Sequence, residues 1–180
     1  MHIHSFLDYW VRVQPHAEFA VQGTRRLTYQ EAYCAVNQLA NALINSGLQL
    51  GDRFAILSKN SIEYVLLYFA ASKAGVVPVP LNYRLSPPEW SYIINDADAK
   101  LLISEGGFLN ALTRVRQEWK TVRRCIAIGG EEATSWDEYQ HWRASQPTTS
   151  PARVIPDDHA LYQMYTSGTT GHPKGAILTQ

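Results

Sequence analysis

Cysteine and net charge are what this 180-residue sequence has least of. Its two cysteines, Cys34 and Cys125, lie far apart and in no metal-like spacing. That excludes a disulfide-stapled scaffold and a cysteine-built zinc site, and each is expected to pack as a small apolar residue in a reducing compartment. Lysine plus arginine and aspartate plus glutamate both number 16, for a formal net charge of +0. A general nucleic-acid binder would need a basic face, so that class is excluded. One bound nucleotide is not excluded, because a few backbone amides and local charges suffice to hold it. The start, MHIHSFLDYWVRV, has neither a basic opening nor an uninterrupted apolar stretch, so it does not read as a signal peptide. Residues 64–81 are the most apolar region, but Ser72, Lys73, Pro78 and Pro80 interrupt them, so no transmembrane segment is expected. The expected location is cytoplasmic, with peripheral attachment to a membrane left open. There is no repeat and no low-complexity tract.

What is present is an alternation of helical and extended segments, the pattern of an α/β fold with a mostly parallel sheet and flanking helices. Thr28-Tyr29-Gln30-Glu31 is a capping box, and Ala32, Val36, Leu39, Ala40, Leu43 and Ile44 behind it make one apolar helical face up to Gly47. A buried strand is expected at 54–57. A helix capped by Asn60 or Ser61 and stopped by Gly75 follows, with Tyr64, Tyr68 and Phe69 at core spacing rather than lining a tunnel. Residues 76–81 are extended, and their prolines require an edge or a crossover. Ser86-Pro87-Pro88-Glu89 opens a helix to about Ala97. A strand at 100–103, a helix at 108–119, a strand at 125–128 and a short helix at 136–143 complete the α/β portion, residues 1–144. Residues 145–156, with three prolines and no periodicity, read as a surface connection. Residues 157–180 then hold an extended segment, 161–165, running straight into a glycine loop.

Residues 165–175 read YTSGTTGHPKG. Gly168, Gly171 and Gly175 permit positive φ and let the backbone approach a ligand without an intervening Cβ. Thr166, Ser167, Thr169 and Thr170 add four hydroxyl donors, successive amides can form an anion nest, and Lys174 supplies a mobile charge. Hydrogen bonds to charged groups contribute roughly 1.5–3 kcal/mol each, so converging donors can hold a polyphosphate. The order of residues is not a Walker A loop, since Lys174 precedes Gly175 and Pro173 stands where the glycine should be. No GxGxxG fingerprint occurs. On composition alone, a ligand-free Gly/Ser/Thr-rich turn remains open. The six histidines are scattered, and Arg114, Arg116, Lys120, Arg123 and Arg124 read as a solvated basic face.

The loop resembles the signature of the adenylate-forming superfamily, close to a Tyr or Phe followed by TSGTTGxPKG, with every fixed position met. The likeness extends upstream through LTYQEAYCAVNQLANAL, through residues 51–103, and through Asp157-Asp158-His159-Ala160. Leu81-Asn82-Tyr83-Arg84-Leu85 and Thr169-Thr170 resemble the acyl-CoA synthetase and fatty-acid–CoA ligase branch rather than amino-acid adenylation domains. Asn82 and Arg84 by themselves read as a turn after a strand. One position departs from the family: after Leu178-Thr179, where His is common, stands Gln180, which donates a hydrogen bond but carries no proton in catalysis.

The resemblance implies ATP-dependent conversion of a carboxylic acid, a fatty acid by its branch, to acyl-AMP and then acyl-CoA. ATP, Mg²⁺ and CoA as co-substrate are implied. Thr166, Ser167, Gly168, Thr169, Thr170, Gly171 and Lys174 would bind the phosphates, with Lys174 the single candidate for a catalytic role. The implied partner is a small-molecule carboxylate; a homodimer stays open. Family members are much longer, so residues 1–180 are expected to be an incomplete N-terminal AMP-binding domain, without the C-terminal domain and inactive alone. The alternatives are a non-catalytic remnant that binds nucleotide or a partner, and an adenylation module that loads a carrier protein.

Overall fold

Local rules written into the sequence set most of the elements of the computed structural model, which describes residues 2–130, 135–166 and 173–179. The chain opens with α1 (Ile3–Val13) and a hairpin, β1 (Glu18–Gln22) and β2 (Arg25–Thr28), in which Gly23 takes φ +60 at the first turn position. The sequence reading anticipated neither. Thr28 then starts α2 (Tyr29–Asn45): its Oγ1 accepts from Glu31 N–H at 3.3 Å, and Glu31 Oε2 accepts from Thr28 N–H at 2.8 Å. The expected capping box is therefore formed, and Gly47 follows the helix at φ +89.

β3 (Arg53–Leu57) leads to α3 (Ile62–Ala74), capped by Ser61 Oγ, which accepts from Tyr64 N–H at 3.1 Å. Gly75 ends the helix in the left-handed region at φ +65. β4 (Val77–Pro80), α4 (Pro87–Asp96), β5 (Leu101–Glu105), α5 (Leu109–Val115) and β6 (Arg124–Ile128) follow, then β7 (Asp137–Glu138) and α6 (Tyr139–Ala144). The helix expected at 108–119 is broken into α5 between two single 3₁₀ turns. A Cβ on Gly106 would stand 2.6 Å from Gly130 Cα, so a glycine–glycine contact fixes the chain where that segment starts. The helix expected at 136–143 starts later, because Asp137 and Glu138 join the sheet and the Glu138 carboxylate accepts from Gln140 and His141 N–H.

Five strands form one parallel sheet in the order β4-β3-β5-β6-β7. β4 lies on its edge, where Pro78 and Pro80 need no ladder partner on the outer side. Strand alternation divides the core. Phe54, Ile56, Leu101 and Ile103 pack with Val36, Leu39 and Leu67 on one face. Ala55, Leu57 and Leu102 pack with Trp90, Ile93 and Leu112 on the other. Burial of both faces is why these strands read as continuous apolar runs. Cys125 lies in the second cluster, where burial pushes its thiol up to about 11, and both cysteines are free.

Residues 145–156 carry no regular structure, but they form a strap held down along α2. Asn37, Gln38 and Asn41 donate side-chain amides to the carbonyls of Thr148, Gln146 and Pro147, and Asn41 also to Thr149, at 2.8–3.2 Å. Arg153 donates to Ala74 O at 2.8 Å, covering an end carbonyl of α3. The strap delivers the chain to β8 (Ala160–Thr166), which pairs antiparallel with β9 (Lys174–Thr179) as a separate two-stranded sheet. The expected extended segment at 161–165 is β8; its return strand was not anticipated.

Candidate phosphate-binding site

The β8–β9 ladder closes on the pairs Tyr165↔Gly175 and Thr166↔Lys174, so Thr166 and Lys174 stand opposite each other where the glycine loop leaves the hairpin. Ser167, Gly168, Thr169, Thr170 and Gly171 lie outside the described residues, as does Gln180. The structure therefore brings the first and last of the expected phosphate-binding residues together. Lys174 is exposed and, among the described residues, has no ion-pair partner.

Gly175 is closely packed by its neighbours on β8. Its φ is not positive, and a Cβ there would meet Gln163 Nε2 at 2.4 Å and Tyr165 Cζ at 3.0 Å. The missing side chain makes room for Gln163 and for the Tyr165 ring. That ring crosses Gly175 and donates its hydroxyl proton to Asp96 Oδ2 at 2.6 Å. Gln163 Nε2 donates to the same hydroxyl at 3.1 Å. Burial, then the Asp96 carboxylate, holds the Tyr165 phenol well above its ordinary value, so it stays a donor across the physiological range.

A cleft of about 310 Å³ adjoins the hairpin. Ser58 and Asn60 from beyond β3, Leu81 and Asn82 from beyond β4, and Met164 and Tyr165 from β8 line it. This is the carboxyl end of the parallel strands, where open α/β sheets bind ligands. Asn82 behaves as the expected turn residue, with Oδ1 accepting from Arg84 N–H at 3.0 Å and its carbonyl from Trp90 Nε1 at 2.9 Å, while also reaching the cleft. Tyr68 and Phe69 pack against Tyr162 and Phe19, whereas Tyr64 packs on Tyr68 and also lines the cleft. In the basic face, Arg124 pairs with Asp137 and Arg116 donates to Ser135 O. Sequence reasoning missed Asp96, 69 residues before its partner, because nothing within α4 distinguishes it from a solvated carboxylate.

The profile of the AMP-binding enzyme family matches residues 7–180. The chain belongs to that family. Among its family relatives, the long-chain-fatty-acid–CoA ligase FadD13 of Mycobacterium tuberculosis is 35% identical over 157 residues, covering 86% of this chain and 30% of the relative. The fatty acid–[acyl-carrier-protein] ligase ScoC of Streptomyces coeruleorubidus is 36% identical over 155 residues, covering 86% of this chain and 28% of its own length. Among solved structures, the anthranilate CoA ligase AuaEII in complex with anthranoyl-AMP superposes with a TM-score of 0.94 at 28% identity, over 99% of this chain and 35% of that one. The fold is thus that of the N-terminal part of adenylate-forming enzymes, and the chain spans less than a third of the length of these two curated relatives. Among the described residues no helix is long and apolar enough to cross a membrane, and no three His, Cys, Asp or Glu side chains converge as metal ligands.

Proposed function

We propose that this protein takes part in ATP-dependent activation of a carboxylic acid, and that residues 166–174 hold the β- and γ-phosphates. The observation that carries this reading is the TSGTTGHPK segment at the mouth of the β8–β9 hairpin, with Thr166 facing Lys174 beside the cleft at the carboxyl end of the sheet. A carboxylate oxygen attacks the α-phosphorus, the bond to the bridging oxygen breaks, and pyrophosphate leaves. The thiol of CoA then attacks the acyl carbon of acyl-AMP and AMP departs. In the first step Thr166, Ser167, Gly168, Thr169, Thr170 and Gly171 offer hydroxyl and amide donors, and Lys174 places its charge where negative charge is released. Mg²⁺, when present, would supply countercharge to the phosphates; no residue of this chain is assigned to it.

A fatty acid is the proposed substrate class, on the likeness to FadD13 and ScoC; the anthranilate ligase makes an aromatic acid the competing one. The likeness to ScoC also supports a second reading, in which the acceptor thiol is on a carrier protein. We take residues 1–144 as the α/β unit, 145–156 as the strap and 157–180 as the stems and loop of a larger N-terminal domain, inactive alone. Pyrophosphate exchange by purified residues 1–180 would overturn that. The two free thiols support a cytoplasmic location, which cell fractionation checks.

The test is ATP–pyrophosphate exchange by the full-length protein over a panel of fatty and aromatic acids, followed by thioester formation with CoA and with a pantetheinylated carrier. Lys174→Ala is expected to raise the KM for ATP about tenfold, the low end for a charge-assisted contact at an exposed site. Absence of acid-dependent exchange would sink the reading.

A further inference from the structure

Both stems of the loop end on one helix. Tyr165, three residues before the first glycine of the loop, donates its hydroxyl to Asp96 Oδ2 at 2.6 Å. Pro173, just before β9, accepts from Tyr92 Oη at 3.4 Å. Tyr92 and Asp96 stand one turn apart on α4, at the i and i+4 spacing that puts two side chains on one helical face. α4 is itself fixed: Glu89 Oε2 accepts from Ser86 N–H at 2.8 Å, and Trp90, Ile93 and Ile94 are buried under the sheet. The helix is thus a rigid bar to which the entry and exit strands of the loop are tied separately.

The tie on the entry side is strongly determined. The Tyr165 oxygen both accepts from Gln163 Nε2 and donates to a carboxylate, and a Cβ at position 175 would crowd both Gln163 and the ring. A hydroxyl bonded to a carboxylate is one of the stronger neutral-donor contacts. A sequence motif that begins at Tyr165 and closes at Gly175 therefore encodes more than phosphate donors. Its two outermost residues form the seat of one ring against the other strand.

We propose that Asp96 and Tyr92 are positioning residues for the phosphate site: by holding Tyr165 and Pro173, they set the spacing of the two stems and so the placement of Thr166 and Lys174 opposite each other. This rests on the reading of 166–174 as the phosphate site. Neither residue touches the phosphates, and both act on the geometry of the residues that do.

The experiment titrates the full-length protein with ATP, inorganic tripolyphosphate and AMP by calorimetry. Tyr165→Phe removes a single oxygen and leaves the ring over Gly175; Asp96→Ala removes the acceptor; Asp96→Asn restores an acceptor oxygen. Tyr165→Phe and Asp96→Ala are each expected to weaken ATP and tripolyphosphate about fivefold to tenfold, less than the loss of a charge-assisted hydrogen bond made directly to the phosphates, while AMP affinity stays level. The double variant is expected to be no worse than the single ones, and Asp96→Asn to recover most of the loss. A general loss of folding would not change the ratio of ATP to AMP affinity, so that ratio separates positioning from bulk stability. Parental ATP affinity in Tyr165→Phe, or an equal loss for AMP, overturns the inference even if Asp96→Ala fails to fold. Lys174→Ala run alongside distinguishes the two levels. If it leaves ATP and tripolyphosphate affinity unchanged, the phosphate-site reading fails and this inference with it. If it weakens them while Tyr165→Phe does not, only the positioning role falls.

Discussion

His4 is expected to make folding stability fall as pH drops from 6.5 toward about 4, and its replacement to remove that part of the acid sensitivity. Its ring stacks on His2 with centroids 5.2 Å apart, and Nδ1 shares a hydrogen bond with Ser72 Oγ at 2.9 Å near the end of α3. Burial lowers its pKa from 6.5 to about 4; Asp8 opposes the shift, while the Lys73 ammonium and His2 add to it. The folded-state value thus lies below the unfolded one. The stabilising contribution is complete above pH 6.5 and is lost as pH falls toward 4, because the unfolded chain takes up the proton first. Taken whole, a shift of that size corresponds to roughly 3.4 kcal/mol at 1.36 kcal/mol per pH unit. The ring keeps contact with water, and screening reduces this to about 1–2 kcal/mol. His4→Asn keeps a polar atom near Ser72 and cannot take up a proton in this range. Urea unfolding of parent and variant from pH 7.5 to 4.5 should show the parent losing about 1–2 kcal/mol more than the variant over that interval. Parallel stability curves would refute the reasoning.

Two further outcomes follow from how the outer elements are held. Lys73 is buried at 4% side-chain exposure, with Asp8 Oδ1 at 2.6 Å, Asn37 Oδ1 at 3.0 Å and the Tyr33 ring at 4.6 Å. Asp8→Ala leaves that ammonium without its counter-ion and should cost about 2–4 kcal/mol, since the surviving charge remains in the core; a melting temperature within a degree of the parent's would contradict this. Asn41→Ala removes both hydrogen bonds to the strap, at 3.0 and 2.9 Å, and should loosen it locally by about 1–2 kcal/mol. Limited proteolysis should then cut within residues 145–156 several times faster, and an unchanged rate would mean the amides do not hold the strap down.

The sequence by itself determined what depends on neighbours a few residues away. Thr28 with Glu31 and Ser86 with Glu89 mark two helix starts, and Gly75 stops a third helix, because caps and left-handed turns are satisfied within one turn of chain. The prolines of β4 announced an edge or a crossover because a missing N–H is a property of the residue itself, and β4 lies at the edge. The ordered run from Tyr165 to Gly175 announced the family by its resemblance to a known signature.

Only the tertiary structure decided the rest. α1 begins at His2 with no side-chain cap, so nothing local marks it, and its place is fixed by Leu7 and by Asp8 on Lys73. The segment at 108–119 carries a helical pattern, yet only Leu109–Val115 is α-helical, with 3₁₀ turns at Gly106–Phe108 and Arg116–Glu118 on either side. The strap reads as an untethered connection until Asn37, Gln38 and Asn41 are brought beside it from more than a hundred residues earlier. Gly175 reads as a phosphate-loop glycine, and only the fold shows that Gln163 and the Tyr165 ring, on its way to Asp96, also press against it across the hairpin. Hydrogen bonds within a turn are encoded by spacing; those between distant segments depend on which surfaces the buried core leaves side by side.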